Sequence, residues 1–153
     1  MDKKMIYGED NTLNLNLMIA FGRTLQALHK RSSEIFKSGG LTTSQFAVLE
    51  ALYHKGSMTV NELTKSVLST SGNMTVVINN LIKSGLVTRS INPEDGRSYL
   101  ISITEKGSEY IKEIFPNHMK DLQEHFKPLS QEEKEQLIRI MKKIRDANIS
   151  LYR

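Results

Sequence analysis

The stretch from Thr59 to Ile103, TVNELTKSVLSTSGNMTVVINNLIKSGLVTRSINPEDGRSYLISI, decides the fold, because its hydrophobic period changes partway through. Up to Lys83 the apolar residues recur at helical spacing: Leu63 and Val67 in one short segment, then Met74, Val77, Ile78 and Leu81 in another. Thr59 with Glu62 three positions later is a capping-box pattern that opens the first segment. Ser69, Thr70 and Ser71 offer caps for the second, and Gly85 closes it. Beyond Gly85 the period becomes that of strands. Leu86–Ile91 and Ser98–Ile103, joined by the turn formers Asn92-Pro93-Glu94-Asp95-Gly96, predict a β-hairpin.

Working outward, Thr42 with Gln45 starts a further helix whose apolar stripe is Phe46, Leu49, Leu52 and Tyr53, with Gly56 at its end. Three short helices followed by a hairpin make a winged helix-turn-helix. Before it, Leu13, Leu17, Phe21, Leu25 and Leu28 stripe an amphipathic helix closed at Gly39-Gly40. After it, Thr104 caps a long helix through about Phe115, where Pro116 is expected to bend or restart the chain. Ser130 with Glu133 opens a last helix carrying Leu137, Met141, Ile144 and Leu151.

The predicted fold class is therefore mainly α (α+β), a winged helix-turn-helix with flanking dimerisation helices in one continuous fold. Residues 1–40 form the N-terminal dimerisation region, 41–106 the DNA-binding lobe and 107–153 the C-terminal dimerisation helices. The outer helices carry more apolar positions than one small lobe can cover. A two-fold homodimer buries them and sets its two recognition helices about one DNA turn apart.

Composition narrows the function classes. The absence of cysteine excludes thiol redox sensing and cysteine nucleophiles. No apolar run approaches the roughly 20 residues that span a bilayer, and Met1-Asp2-Lys3-Lys4-Met5 leads into no signal-peptide core. The expectation is a soluble, cytoplasmic protein with no membrane role. The formal net charge of +4 hints at an anionic partner, and the charge distribution says more. Between Glu62 and Glu94 there is no acid at all, while Lys65, Lys83 and Arg89 fall inside that window. A sparsely charged, solubilising helix is the plain explanation. A surface that must approach phosphates, where a carboxylate would repel, is the sharper one.

Given the inward stripe of the second segment, Gly72, Asn73, Val76, Asn79, Asn80 and Lys83 point outward at about 100° per residue. That chemistry suits a major groove. Gly72 lets the backbone come close, asparagine can pair bidentately with adenine, and Val76 can pack on a thymine methyl. Unpaired amides at the helix start, with the Thr70 and Ser71 hydroxyls, can hold a phosphate. At the hairpin tip, Asp95 can orient the Arg97 guanidinium for entry into a neighbouring minor groove.

The run from Leu41 to Gly107 resembles the MarR family of regulators. The matching segments are Leu41-Thr42-Thr43-Ser44-Gln45-Phe46-Ala47-Val48-Leu49, Thr59-Val60-Asn61-Glu62-Leu63, Gly85-Leu86-Val87-Thr88-Arg89, Asp95-Gly96-Arg97 and Leu100-Ile101-Ser102-Ile103-Thr104-Glu105-Lys106-Gly107. The resemblance implies an obligate homodimer on a palindromic double-stranded operator, usually a repressor released by a small molecule. It implies that Asp95 and Arg97 are the wing acid and arginine, Arg89 the arginine closing the strand after the recognition helix, and Thr75 a recognition-helix threonine. The sequence departs at Val76 and Asn80, where many relatives carry arginine. Fewer guanine contacts and an A·T-leaning operator are expected, and a selected site with a G·C-rich core would count against this.

The resemblance also implies a small aromatic or phenolic effector between the dimer helices and the DNA-binding lobe. Phe21, Leu25, Phe46 and Tyr53 could line such a space, and core packing accounts for the same residues. His118 and His125 are seven apart, too far for an i, i+4 chelating pair, so exposed histidines are expected and a metal-responsive (zinc) regulator is the alternative. No phosphate loop, ligand cluster or nucleophile elbow points to an enzyme or a cofactor. A winged-helix protein-interaction module is the remaining alternative. The acid-free window speaks against it, since a protein partner does not require carboxylates to be excluded.

Overall fold

The computed structural model describes residues 7–67 and 71–149; the cap candidates Ser69 and Thr70, the Ser71 side chain and Leu151 lie outside the described residues. The elements are α1 (Glu9–Ser38), α2 (Thr43–Lys55), β1 (Met58–Thr59), α3 (Val60–Ser66), α4 (Ser71–Lys83), β2 (Val87–Ile91), β3 (Tyr99–Ile103), α5 (Glu105–Phe126) and α6 (Gln131–Ala147). They fall into two compact units, one ending at His118 and the other beginning at Met119.

Local sequence sets most helix boundaries. The Thr42/Gln45, Thr59/Glu62 and Ser130/Glu133 pairs each form a complete capping box at the starts of α2, α3 and α6. Two helices end the same way. Gly40 at φ +78° closes α1, with the Gly40 N–H donating to Lys37 O and Leu41 N–H to Phe36 O. Gly85 at φ +73° closes α4, with its own N–H donating to Ile82 O and Leu86 N–H to Leu81 O. In both, the positive φ that glycine tolerates turns the chain so that two buried apolar side chains, Phe36 and Leu41 or Leu81 and Leu86, can meet over the cap.

The hairpin strands β2 and β3 pair antiparallel from Val87↔Ile103 to Ile91↔Tyr99, and β1 adds to β3 through Met58↔Ile101 and Thr59↔Leu100. The core of the first unit is built from Phe46, Val48, Leu49 and Leu52 of α2, Leu63 of α3, and Met74, Val77, Ile78 and Leu81 of α4. Leu41 and Leu86, Phe36 of α1, Val87 and Ile101 of the sheet, and Ile111 and Ile114 of α5 complete it. Tyr53, expected in the α2 stripe, is 38% exposed, and Val48 takes the buried place.

One hydroxyl ties α4 to α5. Thr104 Oγ1 donates to Gly85 O at 2.7 Å and accepts from Gly107 N–H at 3.1 Å, while Lys106 Nζ donates to Ser84 O at 2.8 Å. The lysine places a cation at the carbonyl end of α4, where the helix dipole favours it. Pro116 does not end its helix, contrary to the sequence expectation: α5 runs through it to Phe126. Proline removes a single backbone donor, and here its ring lies on an exposed position, so the helix continues with one bond lost.

In the second unit α6 buries none of its residues. Ile138, Ile140, Met141 and Ile144 are all exposed. Among the described residues, no helix is long and apolar enough to cross a membrane.

Candidate nucleic-acid interface

Helix α4 is amphipathic in the sense its sequence requires. Met74, Ile78 and Leu81 are at most 1% exposed, whereas Asn73, Thr75, Val76, Asn79, Asn80 and Lys83 face solvent. Val76, 58% exposed, is the apolar member of this otherwise polar face. Ser71 and Gly72 begin the helix. Lys65 is exposed on α3, and Arg89, Asp95 and Arg97 are exposed on the hairpin. No carboxylate lies on α4 or β2.

Arg89 is fastened rather than loose. Its Nη2 donates to Asn79 Oδ1 at 2.8 Å, and its guanidinium carbon lies 5.3 Å from the centre of the Tyr99 ring. The recognition helix and the wing are thus joined by a polar bond on the solvent side, in addition to the core beneath.

The hairpin tip is shaped by two side-chain turns. Asn92 Oδ1 accepts from Glu94 N–H, and Asp95 Oδ1 accepts from Arg97 N–H at 3.1 Å. This corrects the expected role of Asp95, which holds the backbone of Arg97 rather than its guanidinium. A carboxylate two residues before an amide reaches that amide with no bend of a long side chain, so the local bond wins. The arginine head is left in solvent.

The four residues expected to line an effector space do not converge. Phe46 is stacked on Phe36 in the core at 4.0 Å between ring centres, whereas Phe21 and Tyr53 are 39% and 38% exposed. Only Leu25 borders the broad, open cleft of about 710 Å³ formed by Gly22, Leu25, Gln26, His29, Lys30 and Ser33 of α1 with Thr43 of α2.

The histidines also differ from expectation. Neither His118 nor His125 is exposed: His118 packs against Phe36, Phe46 and Phe115, and His125 against Phe126. An imidazole offers a flat apolar face, so aromatic neighbours draw it inward. Among the described residues, no three His, Asp or Glu side chains gather as metal ligands.

Sequence reasoning missed Tyr99 and Lys106. The only signal for Tyr99 was its strand alternation with Ile101, which puts both on the sheet face that carries Arg89.

The MarR family model matches residues 41–99. The chain is 36% identical over 129 residues to the uncharacterized HTH-type transcriptional regulator YkoM of Bacillus subtilis, covering 84% of each chain. It is 33% identical over 131 residues to the HTH-type transcriptional regulator MhqR of the same organism, covering 86% of this chain and 90% of that one. Among solved structures, it resembles Bordetella bronchiseptica BpsR, whose DNA binding is regulated by 6-hydroxynicotinic acid. The TM-score is 0.68 at 26% identity, covering 82% of this chain and 98% of that one.

Proposed function

Because this chain belongs to the MarR family of DNA-binding transcriptional regulators, we propose that it is a cytoplasmic homodimer that grips a palindromic operator and represses the genes beside it until a small aromatic molecule releases it. The observation that carries this reading is the exposed, carboxylate-free face of α4 beside a hairpin whose tip leaves Arg97 in solvent. Asn73, Thr75, Val76, Asn80 and Lys83 meet the major groove, with Thr70, Ser71 and Gly72 at the phosphates where the helix begins and Lys65 on the flanking backbone. Arg97 enters the adjoining minor groove.

Residues 1–40 and 107–153 supply the dimer interface around the lobe of residues 41–106. Two uncovered apolar faces support this: Leu13, Leu17, Met18 and Leu25 of α1, and Ile138, Met141 and Ile144 of α6.

A mobility-shift titration on the DNA flanking the protein's own gene tests the reading. The logarithm of affinity is expected to fall linearly with the logarithm of salt concentration. Arg97→Ala is expected to weaken binding roughly ten- to a hundredfold, about 1–3 kcal/mol for a lost groove contact, with sedimentation and melting temperature unchanged. Binding that ignores both salt and Arg97 would sink it.

For the effector, the α1 cleft offers an apolar wall at Leu25 and donors at Gln26, Lys30 and Thr43. This suits a flat aromatic carrying a carboxylate or phenolate. 6-Hydroxynicotinate, which regulates BpsR, is expected to raise the melting temperature and dissociate the DNA complex. Lys30→Ala should cancel both effects while sparing DNA binding. A ligand response that survives Lys30→Ala places the effector elsewhere.

A further inference from the structure

Two polar residues of the acid-free stretch, on the recognition helix and the wing, are bonded to each other. Arg89 Nη2 donates to Asn79 Oδ1 at 2.8 Å, and the same guanidinium lies 5.3 Å from the Tyr99 ring centre. Arg89 stands on β2 opposite Ile101, Tyr99 stands on β3 opposite Ile91, and Asn79 stands on α4. One planar group therefore touches the reading helix and both strands of the wing. All three residues are exposed, so the core does not require this contact; it lies on the surface that would face DNA.

We propose that Arg89 is a positioning residue, a brace through Asn79 and Tyr99 that fixes the wing relative to the recognition helix, and that Asn79 is thereby withdrawn from base reading. The inference rests on the DNA-binding reading above. Bidentate recognition of adenine needs an asparagine oxygen to accept from N6 while its amide donates to N7. The Asn79 oxygen is occupied by a charged donor, and that bond also fixes the plane of its amide. Asn80, exposed one residue on, has no hydrogen bond to its carboxamide among the described residues and inherits the adenine role. A lysine could not replace Arg89, because a point charge has no plane to lie against the tyrosine while meeting the carboxamide.

The brace makes a prediction that independent contacts do not. Arg89 lies on β2 and Arg97 at the hairpin tip, and they bond to different residues, so two separate DNA contacts would contribute additively. If Arg89 sets where the wing sits, the value of Arg97 depends on it. The experiment is a double-mutant cycle of Arg89→Lys and Arg97→Ala on full-length protein, read as operator affinity by mobility shift. Site selection on Asn79→Ala and Asn80→Ala accompanies it.

Arg89→Lys alone is expected to weaken binding about tenfold although the charge is kept, and Arg97→Ala in that background to cost less than about threefold more. Tyr99→Phe, which keeps the ring, is expected to bind like wild type, and Tyr99→Ala like Arg89→Lys. Asn79→Ala should lower affinity for all sequences alike, and Asn80→Ala should relax preference at one base position.

Additive losses from Arg89→Lys and Arg97→Ala, or a base preference lost with Asn79→Ala, overturn the brace while leaving DNA binding intact. Wild-type protein that shows no salt-dependent DNA binding overturns the functional reading itself and the brace with it. The melting temperature of each variant separates these outcomes from misfolding. Tyr99→Phe and Tyr99→Ala repeat the test away from the charged residue.

Discussion

Leu17→Glu combined with Met141→Glu is expected to convert the protein into a monomer and to lower its affinity for a palindromic operator at least about a hundredfold, into the range of non-specific binding. Both side chains are large, apolar and about half exposed, on helices with good room for glutamate. In an isolated chain such changes are nearly neutral or improve solubility, and the sign reverses only if a partner covers them. In a two-fold interface each substitution occurs twice, and each buried carboxylate without a cation costs several kcal/mol. The DNA consequence follows because a monomer reaches one half-site and loses the second set of contacts. Sedimentation and mobility shift read the two effects separately. A wild-type monomer at micromolar concentration, or a double variant that stays dimeric and binds normally, refutes the arrangement. Leu17→Ala should give a dimer whose melting temperature depends more steeply on concentration, which distinguishes loss of association from damage to the helix.

The features legible in the sequence are those carried by neighbours along the chain. The capping boxes at Thr42, Thr59 and Ser130, the glycine turns at Gly40, Gly56 and Gly85, and the buried stripe Met74, Val77, Ile78 and Leu81 all lie within a few residues of their causes. The hairpin strands were readable for the same reason, since their turn residues are contiguous. What escaped depends on distant partners. β1 consists of two residues whose strand character exists only because β3 accepts them. Phe46 and Phe21 have the same side chain, and only the fold decides that one is stacked in the core and the other left in solvent. The outward face of α4 followed from its period, but the Asn79–Arg89 bond that divides that face into reading and bracing parts joins residues ten apart across two elements. Asp95 shows a subtler failure. The residue was correctly marked as shaping the tip, yet its nearest donor was an amide rather than the charged group that seemed its natural mate.

Gly107→Ala offers a test in which local and tertiary effects carry opposite signs. Gly107 lies in the first turn of α5, and on helix propensity alone alanine should stabilise that helix by about 0.8–1 kcal/mol. Its backbone needs no left-handed conformation, so conformation gives no reason for glycine here. Space does. A Cβ at this position would run into the backbone carbonyl oxygen of Leu86 and come within 2.8 Å of Ile103 Cγ1. Neither obstacle can yield cheaply. The Leu86 carbonyl is held by the Thr104 N–H at 3.0 Å, and Leu86 is itself the buried residue that completes the cap of α4. A methyl group there must push α5 away from the α4–β2 corner and loosen the Thr104 bonds to Gly85 and Gly107. Overpacking against fixed backbone typically costs 1–3 kcal/mol or more, so a net loss of about 2 kcal/mol is expected even after the propensity gain. For a chain of this length that lowers the melting temperature by roughly 5 °C or more. Because α4 ends at that corner, operator affinity should fall with it. An alanine variant that melts at or above the wild-type temperature would show that α5 does not rest on the end of the recognition helix, and the attachment of that helix would need another explanation.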